Sequence, residues 1–226
     1  MTGFFANILK ILQKYWYIFF VTGVSYTLIL SILTVFFGSI VGLIIYFARR
    51  SKFKPLSWIA IAFVEVIRGT PMLLQLYVGV FLVPKIVGFN VSDFTSVSIA
   101  LALNSGAYVS EVFRSGIEAV DRGQMEAART LGLSYGQAMK KVIFPQAIKN
   151  ILPALGNEFI ILLKDTSLIT VIGGKELLYA AQGVMNRTYE SMFPLLGIAA
   201  IYLILVMIFT WLLGLLERRL RQSDRR

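Results

Sequence analysis

Cysteine and histidine are both missing from this sequence. Without thiols there are no disulfides, no thiolate metal centres and no cysteine nucleophile. Without imidazole there is no Ser-His-Asp triad and none of the usual zinc or haem ligand sets. Acidic side chains are scarce too, 12 against 22 Lys and Arg, for a net charge of +10. A basic excess suits nucleic acid when it forms a patch. Here the cations stand at the ends of apolar runs, the arrangement that fixes membrane topology, so no nucleic-acid partner is expected. Linker-like and low-complexity stretches are also wanting, as are visible inverted repeats of the secondary-transporter kind. Residues 1–226 therefore read as a single domain.

What is present in excess is apolar. The chain is 57% hydrophobic with a mean hydropathy of +0.75, against roughly 45–50% apolar in soluble domains. The excess lies in runs near the ~20 residues that cross a bilayer as a helix. The first residues carry no basic stretch before an apolar one and no small-residue cleavage site, so they do not resemble a cleaved signal. Phe4, Phe5, Ile8, Leu9, Ile11 and Leu12 recur at helical spacing, which predicts an interfacial helix over about residues 1–18. Five spans are expected between about residues 19 and 216 of an all-α membrane protein. They are Phe19–Tyr46, Leu56–Val83 with an interruption at Arg68-Gly69-Thr70-Pro71, Thr95–Phe113, Ile151–Ile172 and Phe193–Leu216. Fifteen Lys and Arg gather at one set of span ends and five at the other. That asymmetry places the amino terminus outside and the carboxy terminus in the cytoplasm.

One stretch between the third and fourth spans does not suit a membrane. Residues 123–134 are too polar to span and too helix-prone for a floppy loop. Gly132 can take the left-handed conformation that ends a helix, Ser134 can cap the next one, and that next helix is expected to stop near Pro145. Ala127 and Ala128 are small enough to let another surface approach. Glu126-Ala127-Ala128, then Gly132, then nine residues to Val142-Ile143-Phe144-Pro145, resembles the EAA motif of ABC-importer permeases. Val142 and Phe144 replace the Ile and Leu of the family pattern. Three more stretches are similar to the polar-amino-acid branch: Glu65 to Pro71, Tyr108 to Ile117, and Lys164-Asp165-Thr166-Ser167-Leu168. The resemblance spans nearly the whole chain. It implies the type I importer fold, a second permease subunit (identical or homologous), two ATPase subunits and an extracytoplasmic binding protein. ATP and magnesium would then be used by the ATPase, with no cofactor or metal on this chain. Gln124, Glu126, Ala127, Ala128 and Gly132 would form the coupling segment that seats on the ATPase.

Charges inside spans are costly, ~2.5–3.5 kcal/mol each on insertion scales, and so point to function. Glu65 with Arg68, and Glu111 with Arg114, are each three residues apart and share a helix face. Counting ~1.5 Å per residue from Pro55 puts Glu65 ~15 Å deep. Pro71 breaks the helix ladder and Gly69 permits non-helical backbone, freeing groups that can hold a polar ligand. In the fourth span Glu158 and Asp165 share one face, and Asn157 and Lys164 a neighbouring one. The expected substrate site is therefore Glu65, Arg68, Gly69, Thr70, Pro71, Asn157, Glu158, Lys164 and Asp165. Its carboxylates suit a cationic amino acid such as arginine, lysine or histidine; glutamine or another polar amino acid is the alternative. Gly173-Gly174-Lys175-Glu176 lacks the first glycine and the Ser or Thr of a phosphate loop and reads as an ordinary turn. An ion-coupled transporter or a membrane enzyme would also use buried charge, but neither needs the segment at 123–134.

Overall fold

The computed structural model describes residues 2–88 and 92–222 and is helical nearly throughout. Arg225 and Arg226, counted in the topology above, lie outside the described residues. The elements are α1 (Thr2–Lys14), α2 (Tyr17–Arg49), α3 (Lys54–Gly69), α4 (Met72–Ile86) and α5 (Asp93–Glu118). They continue as α6 (Arg122–Thr130), α7 (Tyr135–Ala138), α8 (Phe144–Asp165), α9 (Leu177–Thr188) and α10 (Met192–Gln222). A π-helical turn, Met139–Ile143, carries α7 into α8, and a tight 3₁₀ stretch, Thr166–Ile172, follows α8. The helix expected to stop near Pro145 does not stop. Pro145 follows directly on the π-helical turn Met139–Ile143, where the altered hydrogen-bond ladder accommodates its missing amide. Helix α1 is amphipathic as expected and lies against α10, with the Phe4 and Phe193 rings 5.8 Å apart.

The scaffold is α2 packed along α5, with α8 against both and α10 behind α8. Small residues allow this closeness. A Cβ placed on Gly38 would lie 2.7 Å from the Ser105 hydroxyl, and one on Gly106 would lie 2.5 Å from Val41. Such contacts are how helices associate where lipid removes the hydrophobic drive between them. The interior is correspondingly polar: Thr27, Ser31, Ser105, Ser110, Thr166 and Glu176 are fully buried. The exterior of α2 and α10 is apolar, with Ile32, Phe36, Ile44, Leu203, Met207 and Trp211 all exposed.

Among the described residues, α2 and the Met192–Leu220 part of α10 are long and apolar enough to cross a membrane. The α3–α4 pair makes a third if it is one span. Helices α5 and α8 have the length but not the apolar composition, because Ser96, Asn104, Ser105 and Glu158 sit on their buried faces. The interruption at Gly69-Thr70-Pro71 is present, but its geometry differs from the expectation. The two arms are bent by 114°, so α4 leaves the axis of α3 sharply instead of continuing it in a straight line. A depth counted along one straight helix therefore ends at Gly69.

Candidate translocation site and coupling segment

At the break, Thr70 (φ −119°, ψ 150°) and Pro71 (φ −62°, ψ 134°) are extended. An unbroken helix would bond the amide of residue 71 to the carbonyl of Ile67, and proline has no such amide. The Gln75 side chain replaces it: Nε2 donates to Ile67 O at 2.7 Å, and also to Thr70 O at 3.0 Å and Thr70 Oγ1 at 2.8 Å. The Thr70 hydroxyl donates to Val66 O at 2.8 Å. Asn104 Nδ2 of α5 donates to Gln75 Oε1 at 2.7 Å, fixing the bent pair to the scaffold. The groups freed by Pro71 are thus used within the protein. Gln75 and Asn104 were not legible as site residues, since nothing local marks them.

The charged residues sort differently from the sequence expectation. Glu65 does not pair with Arg68. Arg68 Nη1 lies 3.8 Å from Glu111 Oε2, and its guanidinium is 5.6 Å from the centre of the Tyr108 ring. Glu111 gathers arginines from three helices: Arg49 hydrogen-bonds Oε1, Arg114 Nη2 sits 2.7 Å from Oε2, and Arg68 approaches from α3. The Glu111–Arg114 pair is present as expected. Glu65 is exposed, with no hydrogen bond or ion pair among the described residues.

In α8, Glu158 is buried and accepts from Ser105 Oγ at 3.2 Å, facing the α2–α5 seam. Asn157 and Lys164 are exposed, and Asp165 is half-buried. Of the two acids, Glu158 is packed into the seam while Asp165 is partly open. Among the described residues no hydrogen bond or ion pair joins Glu65, Arg68 or Thr70 to Asn157, Glu158, Lys164 or Asp165. The two regions still meet through their neighbours. The 3₁₀ stretch after Asp165 packs on α4, with Leu76 and Ile169 in one buried cluster that Met72 and Leu168 flank.

The Gly-Gly-Lys-Glu turn carries more than an ordinary turn would. Glu176 is completely buried. It accepts from the Thr170 hydroxyl, from Tyr179 N at 2.9 Å and from Tyr202 OH at 2.5 Å. Leu177 N donates to Thr27 Oγ1 at 3.2 Å, so the same corner is tied to α2.

The segment after α5 is built from local caps. Asp121 Oδ1 accepts from Gly123 N at 2.8 Å and opens α6. Gly132 closes it at φ +84°. Its amide donates to Arg129 O at 3.0 Å, and Leu133 N reaches back to Ala128 O at 3.2 Å, the paired bonds of a Schellman ending. Ser134 and Gln137 then form a reciprocal capping box at the start of α7. Gln124, Glu126 and Ala127 point outward, with Gln124 Oε1 accepting from Gln146 Nε2 at 3.3 Å. Ala128 is 3% exposed and packs on its own chain. It is therefore not an outward surface for a partner, as the sequence had suggested. Leu131, which sequence reasoning passed over, is 84% exposed at the turn.

A polar-cored helical scaffold with long apolar helices, a broken helix and a capped helix displayed at one end is an architecture that suits a membrane permease subunit. Residues 35–222 match the family described as the binding-protein-dependent transport system inner membrane component. The chain belongs to that family. It is 41% identical over 206 residues to the arginine transport system permease protein ArtQ of Bacillus subtilis, covering 91% of this chain and 94% of that one. It is 39% identical to the putative glutamine transport system permease protein GlnP of Rickettsia conorii, over 96% and 98% of the two chains. A crystal structure of an amino acid ABC transporter with histidines superposes with a TM-score of 0.88 at 46% identity, over 92% of this chain and 96% of that one. This chain is an inner-membrane permease of an amino acid ABC importer.

Proposed function

We propose that this permease, a single domain over residues 1–226, carries a cationic amino acid (arginine, lysine or histidine) into the cytoplasm. In this reading it crosses the membrane five times with the amino terminus outside, as the Lys and Arg distribution favours. It works beside a second permease subunit, identical or homologous, and receives substrate from an extracytoplasmic binding protein. Two ATPase subunits bind the ATP and magnesium and seat against Gln124, Glu126, Ala127, Leu131 and the Gly132 turn. The observation that carries the coupling role is the self-capped α6, which needs no outside contact to hold its shape and displays Leu131. Cysteines introduced at Lys10 and Gly183 should label with an impermeant reagent in intact spheroplasts. Those at Lys52 and Gln124 should label only after the membrane is opened. External labelling at Gln124 overturns the orientation and the coupling role together.

For the substrate, the supporting observation is the exposed, unpaired Glu65 one turn before Gly69-Thr70-Pro71, with half-buried Asp165 ahead of the stretch packed on α4. These two carboxylates suit an ammonium or guanidinium, and Thr70 suits the opposite end of the ligand. Arg68 and Glu158 act from behind, one held by Glu111 and the other by Ser105, while Asn157 and Lys164 border the α8 side. The names of the arginine and histidine relatives agree with this reading. Glutamine is the second reading, favoured by the glutamine relative and by Lys164 beside Asp165. Uptake of arginine, lysine, histidine and glutamine by the reconstituted complex separates the two. Glu65→Gln should weaken uptake of the cationic substrate and leave basal ATP hydrolysis intact. Glutamine uptake alone, insensitive to Glu65→Gln, overturns the cationic site.

A further inference from the structure

A groove of about 440 Å³ opens where α2 ends, bounded by α5, α7 and the π-turn that follows. Its walls are apolar: Leu43, Phe47, Phe113 and Phe144. They continue the bilayer-facing strip of α2, on which Ile40, Ile44 and Phe47 are exposed. Two cations, Arg50 and Lys140, line the same groove with Tyr46 and Tyr135. Arg50 stacks over the Tyr46 ring at 5.7 Å. Among the described residues neither cation meets a carboxylate. An adjoining cavity of about 530 Å³ shares Arg50 and Tyr135 and does contain acids, Glu118 and Asp121. Both are engaged: Glu118 Oε2 accepts from Arg114 at 2.6 Å, and Asp121 caps α6. The groove therefore pairs an apolar trough, open toward the hydrocarbon, with two uncompensated positive charges.

We propose that an anionic phospholipid occupies this groove. Its phosphate rests between Arg50 and Lys140, within reach of the exposed Tyr135 hydroxyl, and one acyl chain lies along Phe47, Phe113 and Phe144. Basic pockets between helices at the cytoplasmic face recognise anionic headgroups in this way. A soluble partner would leave the apolar walls without a matching chain, whereas a lipid satisfies both halves. Lipid bound here joins the scaffold helices α2 and α5 to α7, the helix that starts directly after the Gly132 turn. The site thus links membrane composition to the coupling segment.

The proposal rests on the cytoplasmic placement of this end. Lipid retention in detergent does not depend on the leaflet, so its failure and a failure of the orientation are separable. The test is native mass spectrometry of the assembled transporter, equilibrated with phosphatidylglycerol and phosphatidylcholine of the same acyl chains. Phosphatidylglycerol should be retained preferentially. R50Q/K140Q should lower that preference by roughly tenfold or more, while R50K/K140R keeps it. K52Q/K54Q removes equal charge from the same end outside the groove and should leave retention unchanged. Equal retention of the two lipids, an equal loss in K52Q/K54Q, or burial of Arg50 and Lys140 by the ATPase in a crosslinking experiment overturns the proposal. Should R50Q/K140Q fail to assemble, the wild-type preference for phosphatidylglycerol decides alone, and its absence at low salt overturns the site.

Discussion

The chain breaks its helical course at Gly69-Thr70-Pro71 and at Leu131-Gly132-Leu133, and the two turns are closed by different means. The first is closed from a distance. Gln75 supplies the missing donor and Asn104, on another helix, anchors Gln75. The second closes itself through two backbone bonds to its own helix, followed by the Ser134–Gln137 box. The difference follows from the solvent. Inside a membrane a freed carbonyl finds no water, so the protein must bring a donor to it. Where water can reach the backbone, local caps suffice. The break at Pro71 is consequently held by the whole fold, while the turn at Gly132 is a self-contained unit.

Gln75→Leu attacks that contrast most directly. It strands the carbonyls of Ile67 and Thr70 and the Asn104 amide, at about 1–3 kcal/mol for each buried group left unpaired. The melting temperature of the assembled transporter should drop sharply and uptake should collapse. An unchanged melting temperature would mean that water reaches the break, and the contrast would fail. Ala128→Leu comes next. Its side chain would overpack a buried position on the chain itself, costing about 1–3 kcal/mol, whereas Ala127→Leu should leave melting unchanged and alter only ATPase association. Equal melting for the two variants would put Ala128 on the outer face after all.

Gly132→Val has a smaller cost, about 1–2 kcal/mol for a left-handed residue. The space around Gly132 is open, so backbone conformation alone is tested. Substrate-stimulated ATP hydrolysis should fall while insertion is normal, and Gly132→Asn should behave nearly as wild type. If asparagine is as harmful as valine, the turn is constrained by a contact and not by its φ. Ser134→Ala should have the mildest effect, about 1 kcal/mol, seen as faster amide exchange at Gln137 with transport retained.

The same division governs what the sequence disclosed. Gly132 and Ser134 could be read because turn and cap chemistry is local. The break at Pro71 could be read for the same reason. Its 114° bend could not, because the angle depends on α4 packing against α5 and the 3₁₀ stretch. The Glu111 cluster was half legible: Arg114 lies three residues away on the same helix, while Arg49 and Arg68 arrive from other helices. Glu158 was correctly singled out as unusual, but spacing along one helix cannot tell an open cavity from the seam occupied by Ser105. Glu176 was read only as part of a turn, because Tyr202, one of its donors, and Thr27, which ties the adjoining Leu177 amide to α2, are far away in sequence.

That last corner bears on how the protein is made. Glu176 emerges from the ribosome before Tyr202, yet the Tyr202 hydroxyl is one of the donors that hold its carboxylate. Until the final helix packs in place, the Glu176 carboxylate lacks one of its donors, and burying it in that state is costly. This corner is therefore completed only when α10 packs against α9. A chain that stops before Tyr202 lacks one of the donors that seal this corner.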